Sequence, residues 1–274
     1  GRGVSLTVEK QPAKPTDVAL EVSALTVHDD RDSVVVDGCS FEVRKGEIFG
    51  IAGVGGNGQD ELVETITGLR RSVSGQVKMA GADITGNSPR DLDHRGLAYI
   101  PADRQRYGLV LAFPVDDNLA LTDYHEQPFS RYGILVDAAF HERAKKLIPE
   151  YDIRTPSENV AVGTLSGGNQ QKVIVAREFS KPIKVLVADQ PTRGLDVGSI
   201  EFIHKQIVAK RDAGTAVLLV SAELDEVLEL SDRIGVMYRG KLVSVVDAKD
   251  ADKDKIGLIM ATGRVGGHTA EAAQ

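Results

Sequence analysis

The stretch GEIFGIAGVGGNGQDELVETITGL, residues 46–69, restricts the fold more than any other part of the chain. Ile48, Phe49, Ile51 and Ala52 read as a short buried strand. A glycine-rich turn follows, and then Leu62, Val63, Ile66 and Leu69 recur at helical spacing. Strand, glycine turn and helix in that order predict an α/β fold, and they are the context in which a turn of this kind binds phosphate. A glycine turn kept only for folding produces the same local pattern.

Two further stretches supply the rest of such a core. Val185, Leu186, Val187 and Ala188 form an apolar run between Pro182 and Pro191, predicting a buried parallel strand that ends at Asp189. An acid at the carboxyl end of a strand lies where α/β sheets bind their ligands, and Asp189 is therefore a candidate metal ligand. The tight turn Pro191 to Asp196 follows. Upstream, LSGGNQQKVIVARE, residues 165–178, places Ser166 as an N-cap before Gly167 and Gly168, so the first-turn amides are open to an anion. A plain capped helix is the bland reading of Ser-Gly-Gly alone.

In this order the pieces resemble the ATP-binding cassette family. The signature falls at Ser166, Gly167, Gly168, Asn169 and Gln170, the Walker B strand ends at Asp189, and the D-loop runs through Asp196. The resemblance spans roughly residues 18–262. It implies a P-loop NTPase cassette: a RecA-like core, an antiparallel β subdomain, and an α-helical subdomain inserted at about residues 105–180. It also implies ATP and Mg²⁺ as cofactors. Residues 1–17 are expected to be a linker and 263–274 a flexible tail.

Aligned on G-x-x-x-x-G-K-[ST], the phosphate loop comprises Gly53, Gly55, Gly56, Asn57 and Gly58, and the next two positions depart from the motif. Gln59 replaces the lysine that reaches the β and γ phosphates, and Asp60 replaces the hydroxyl that meets Mg²⁺. A helix dipole contributes only about 0.3 to 1 kcal/mol at an exposed site. Two unit charges at 4 Å interact by roughly 4 kcal/mol at an effective dielectric of 20, so the lost charge outweighs the dipole. Asp60 is itself a candidate metal ligand, which softens that conclusion.

The same resemblance marks three more departures. Ala102 stands where the family's glutamine contacts metal and water. Gln190 stands where a glutamate polarises the attacking water, help worth roughly 10² to 10⁴ in rate. Ala222 stands where the switch histidine falls. All five changed positions, Gln59, Asp60, Ala102, Gln190 and Ala222, belong to the half-site for the chain's own nucleotide, whereas the surfaces lent to a partner, Ser166 to Gln170 and Asp196, are retained. The resemblance thus implies an asymmetric pair: this domain completes an ATP site in a second cassette while its own site is silent. GIAGVGGNGQDELVE, LSGGNQQKV and QPTRGLDVGS are similar to the second cassette of fused importers for ribose-type sugars, and above all to the nucleoside branch served by lipoprotein receptors. Transmembrane permease subunits, at the cytoplasmic face of the membrane, are then implied partners.

Composition limits the alternatives. A net charge of −7 with no basic run argues against nucleic acid as a partner. No apolar run approaches the roughly 20 residues of a membrane span. Cys39 is the only cysteine and permits no intrachain disulfide. A soluble cassette protein outside transport, acting as a nucleotide-dependent regulator, is the runner-up, and an independent ATPase is disfavoured by Gln59 and Gln190. In the helical part, helices are expected at Val115 to Leu121, Ala138 to Tyr151 and after Ser166. An exposed loop is expected over residues 122–133, and Phe113, a candidate for contact with a permease, favours a core position.

Overall fold

The computed structural model describes residues 8–265. Val18–His28 (β1) and Val34–Arg44 (β2) form an antiparallel pair, followed by Ile48–Ala52 (β3) and the helix Gln59–Ile66 (α1). Ser74–Met79 (β4) and Ala82–Asp83 (β5) join the first pair in a four-stranded sheet of order β2-β1-β4-β5. Pro89–Arg95 (α2) then leads into Leu97–Ile100 (β6). Val115–Leu119 (α3), the hairpin Ser130–Arg131 (β7) and Ile134–Leu135 (β8), Asp137–Glu150 (α4) and Gly167–Phe179 (α5) make the helical part. Val185–Asp189 (β9), Val197–Asp212 (α6), Ala216–Ser221 (β10), Leu224–Leu230 (α7), Arg233–Tyr238 (β11), Lys241–Asp247 (β12) and Lys253–Thr262 (α8) complete the chain.

The second sheet has the order β12-β11-β3-β10-β9-β6, parallel except for β12. Its central strands are buried on both faces, which is why they read as continuous apolar runs. Alternation divides each strand between two cores. Phe49, Ile51, Val185, Val187 and Leu218 face α1 and the four-stranded sheet, where Phe41 stacks on Phe49 at 5.3 Å. Ile48, Leu186, Ala188 and Leu219 face α5, α6 and the helical part.

Residues 8–16 form no helix or strand, yet they are strapped to the core. The Val8 amide donates to Glu229 Oε1 at 2.7 Å, and Lys10 Nζ donates to the carbonyls of Leu230 and Ser231. The fully buried Arg211 donates to the Gln11 carbonyl (2.8 Å) and to Asp232 Oδ1 (2.9 Å). Residues 1–7 and 266–274 lie outside the described residues, so the linker and tail expectations for them are left there.

Two local expectations change. Phe113 is 47% exposed, not in the core, because the Val115 amide pairs with the Val160 carbonyl and the Val162 amide with Phe113's own carbonyl, leaving the ring on the outer side of that ladder. The polar stretch 122–133 is only partly an exposed loop: Phe129 packs edge-on to the buried Phe140 at 5.2 Å, and Ser130 and Arg131 enter the small hairpin. Helix α2 has no apolar repeat to announce it. Ser88 caps it, accepting from the Asp91 amide, and Leu92 is its only buried residue. Among the described residues no helix is long and apolar enough to cross a membrane.

Candidate functional site

Sheet register assembles the first half of the site. Ser221 pairs with Ala52, Val220 with Asp189, and Ile100 with Ala188, so the carboxyl ends of β3, β10, β9 and β6 stop at one level. The loop at 53–58, Ala102, Gln190 and Ala222 therefore leave the sheet side by side, at its ligand-binding edge.

Within the glycine loop, Gly58 has φ +96°, and a Cβ there would come within 2.1 Å of the Val35 carbonyl oxygen. Only glycine fits that turn into α1. Gln59 is buried and folds back into the loop. Its Oε1 accepts from the Asn57 amide at 3.1 Å, and its Nε2 donates to the Val54 carbonyl at 3.2 Å. The loop is also fixed from outside, since Asn57 Oδ1 accepts from the Arg239 amide and the Gly240 amide donates to the Asn57 carbonyl. An amide suited to phosphate is thus engaged by the chain's own side chain, and the first turn of α1 carries Asp60 and Glu61 where the dipole favours an anion. The cradle is a poor fit for a polyphosphate.

Asp189 is buried. Burial first, and then the negative charge of Asp60, push its carboxyl from 3.8 up to about 7, while a hydrogen bond from the Ala102 amide works the other way. Its Oδ1 has no hydrogen-bond partner. An orphaned buried carboxylate oxygen beside a second acid suits a hard cation, so Asp189 and Asp60 are the residues that would hold Mg²⁺. Gln190 sits at φ +47°, and its Oε1 accepts from the Ala222 amide at 3.2 Å. The side chain at the base position is thereby tied to the backbone at the switch position.

The second half of the site lies elsewhere. Ser166 caps α5, with its Oγ accepting from the Asn169 amide (3.4 Å) and from Asn169 Nδ2 (3.0 Å). Asn169 Oδ1 in turn accepts from the Arg154 amide at 2.8 Å. Gln170 is buried and donates to the Leu165 carbonyl. Gly167 and Gly168 are needed for close approach: a Cβ at Gly168 would lie 2.1 Å from Ser199 Oγ. Asp196 caps α6, receiving the Ser199 amide and hydroxyl, which hold its carboxyl below the usual range. Ser166, Asn169, Lys172, Asp196 and Ser199 line an open cleft of about 470 Å³, and no residue of 53–60 lines it. One chain therefore does not bring its signature to its own phosphate loop.

Residues 36–193 match the ABC transporter family. The chain belongs to that family. The cassette is 46% identical over 261 residues to a guanosine import ATP-binding protein of Bacillus subtilis, covering 95% of this chain and 51% of that protein. It is 45% identical over 265 residues to a nucleoside import ATP-binding protein of Lactococcus lactis, covering 97% and 52%. The cassette thus spans about half the length of these curated relatives. Its fold is also that of a nucleotide-free ATP-binding cassette from an ABC transporter, with a TM-score of 0.72 at 24% identity over 84% of this chain and 92% of that one.

Two features of the cassette's site have partners that no local spacing announces. Arg104, in a single π turn after β6, donates to the Arg193 carbonyl at 3.1 Å, and its guanidinium lies so close to Gly167 that a Cβ there would meet Nη2 at 2.7 Å. Behind the D-loop, Glu226 Oε1 accepts from Thr192 Oγ1 at 2.5 Å and meets His204 Nε2 at 2.9 Å, all three buried. Partners separated by 22 to 89 positions on different elements leave no local spacing to read.

Proposed function

We propose that this cassette is the nucleotide-binding component of an importer for nucleosides or related sugars, and that it works as the silent half of an asymmetric pair. Its signature, Ser166 to Gln170, and its D-loop around Asp196 close over ATP·Mg²⁺ held by a second cassette, while its own site binds nucleotide weakly and does not hydrolyse it. The observation that carries this reading is the contrast between the two halves. The cleft at Ser166 and Asp196 is open, whereas the phosphate loop is filled by Gln59 and the catalytic positions are closed by the bond from Ala222 to Gln190.

The remaining parts of the proposal rest on the relatives' names and on surface chemistry. Half of each relative's length is left for a further unit, and a second cassette is the unit a head-to-tail pair requires. Permease subunits would dock at the groove that Leu69 and Tyr107 line, with the exposed Phe113 as a further apolar contact, placing the cassette at the cytoplasmic face of a membrane. A solute-binding lipoprotein would act through the permease, without touching this chain. The deciding experiment is Ser166→Arg in the full-length protein with its permease: ATP turnover should be abolished while the complex still assembles, and unchanged turnover would sink the proposal.

A further inference from the structure

His94 lies in the last turn of α2, and His125 and Glu126 lie 31 and 32 positions later, in the segment that leads from α3 to β7. The three side chains converge. His94 Nε2 is 3.4 Å from His125 Nε2 and 3.0 Å from Glu126 Oε1, and His125 Nε2 is 3.6 Å from the same oxygen. A tetrahedral zinc ion with bonds of about 2.0 to 2.1 Å places its ligand atoms about 3.3 to 3.4 Å apart. The three edges bracket that value, so one point lies at bonding distance from all three atoms.

Hydrogen bonding alone accounts poorly for the arrangement. If the His94 Nε2 proton serves Glu126, His125 Nε2 is left facing a donor nitrogen already used and a carboxylate oxygen beyond good hydrogen-bond range. A divalent cation satisfies all three atoms at once. Two imidazoles and one carboxylate form a donor set suited to zinc, and harder ions such as Mg²⁺ prefer all-oxygen shells.

The scaffold is held on both sides. Helix α2 is capped by Ser88 and anchored by Leu92 and by the ion pair of Asp93 with Lys181. Across the gap, the Glu126 amide donates to the Asp123 carbonyl, the Ser130 amide donates to the Glu126 carbonyl, and Tyr124 meets the His125 ring edge-on at 5.5 Å. Exposure rises from 20% at His125 to 45% at His94 and 52% at Glu126, which leaves a fourth position open to water.

We propose that His94, His125 and Glu126 bind one zinc-class divalent ion that bridges the core to the helical part of the cassette. This site is separate from Asp60 and Asp189 and does not depend on the transport reading.

The test is titration of the untagged chain with Co²⁺, followed by Zn²⁺ displacement. The expected result is the visible absorption of four-coordinate cobalt, saturating at one equivalent and lost on adding zinc. His94→Ala and His125→Ala should each weaken binding by at least about tenfold, the loss that even an outer-shell partner causes. His141→Ala, on α4 beside Asp116, should bind as the parent does. Hydrogen exchange supplies a second readout, with zinc slowing amides in 89–96 and 122–127 together. Absence of saturable binding, binding that survives both histidine substitutions, or protection of neither segment would overturn the proposal.

Discussion

Gln59 Oε1 accepts a hydrogen bond from the Asn57 amide at 3.1 Å, so the residue in place of a phosphate-binding lysine occupies the loop it would otherwise open to nucleotide. The Val54 carbonyl holds the other end of the same side chain at 3.2 Å. A single position thereby removes a positive charge and fills the anion cradle with a neutral amide.

Gln59→Lys should therefore tighten binding of a fluorescent ATP analogue to the isolated cassette by about tenfold or more, since one charge near a phosphate is worth roughly 4 kcal/mol before screening and desolvation are taken off. Hydrolysis should not follow. Even the triple change Gln59→Lys, Asp60→Ser and Gln190→Glu should leave turnover low while Ala102 and Ala222 remain, because catalytic groups that act as a unit are not additive. Binding without turnover, measured by fluorescence and phosphate release, is the expected pair of results.

Asp189 makes stability depend on pH. Its carboxyl titrates at about 7 in the folded chain and near 3.8 when unfolded. The folded state therefore holds the proton more tightly. Relative to alkaline pH, this stability is fully present below the ordinary carboxylate range, falls as pH rises, and is gone past about 7. At roughly 1.4 kcal/mol for each tenfold gain in proton affinity, the full change is on the order of 4 kcal/mol. Asp189→Asn should raise the urea midpoint at pH 8 and leave it nearly unchanged at pH 4. Millimolar Mg²⁺ at pH 8 should stabilise the parent and not the variant.

The fully buried Arg211 pairs with the partly buried Asp232, which also receives Lys10 at 3.1 Å. Arg211→Met leaves the Gln11 carbonyl without its donor and Asp232 with one cation fewer. Breaking a buried pair costs about 3 to 5 kcal/mol, and Lys10 places the expected loss near the lower end, read from urea unfolding. Proteolysis should then cut within residues 8–16 before it reaches the core.

Glu226→Met removes the one oxygen, Oε1, shared by Thr192 Oγ1 and His204 Nε2, and leaves both buried partners without it. The expected cost is about 1 to 3 kcal/mol. Because Thr192 lies in the turn before Asp196, turnover of the full-length protein should fall as well, while nucleotide binding by the isolated chain should not.

The sequence made the parallel core legible because buried strands and the helices beside them carry their own pattern. Ile48 to Ala52 and Val185 to Asp189 each announce a strand, and the glycine loop announces the site beside them. The exchanged residues Gln59, Asp60, Ala102, Gln190 and Ala222 are visible against a motif, and the structure brings Gln190 to Ala222 and Ala102 to Asp189. What no spacing announces is where a side chain turns. Gln59 folding inward and Phe113 standing outward are settled by hydrogen bonds between distant segments. Helix α2 is hidden for a related reason: a one-turn cap and a single buried leucine hold it, with no stripe to detect.

Arg104 gives the cassette a mechanical property. Its backbone belongs to the turn leaving β6, its guanidinium crowds the entry to α5, and its Nη1 grips the Arg193 carbonyl. The guanidinium thus ties the turn after β6 to the turn after β9, and a swing of α5 against the sheet meets it at Gly167. Whatever moves the entry to α5 is therefore met by one short strut, and that contact needs no nucleotide in the chain's own phosphate loop.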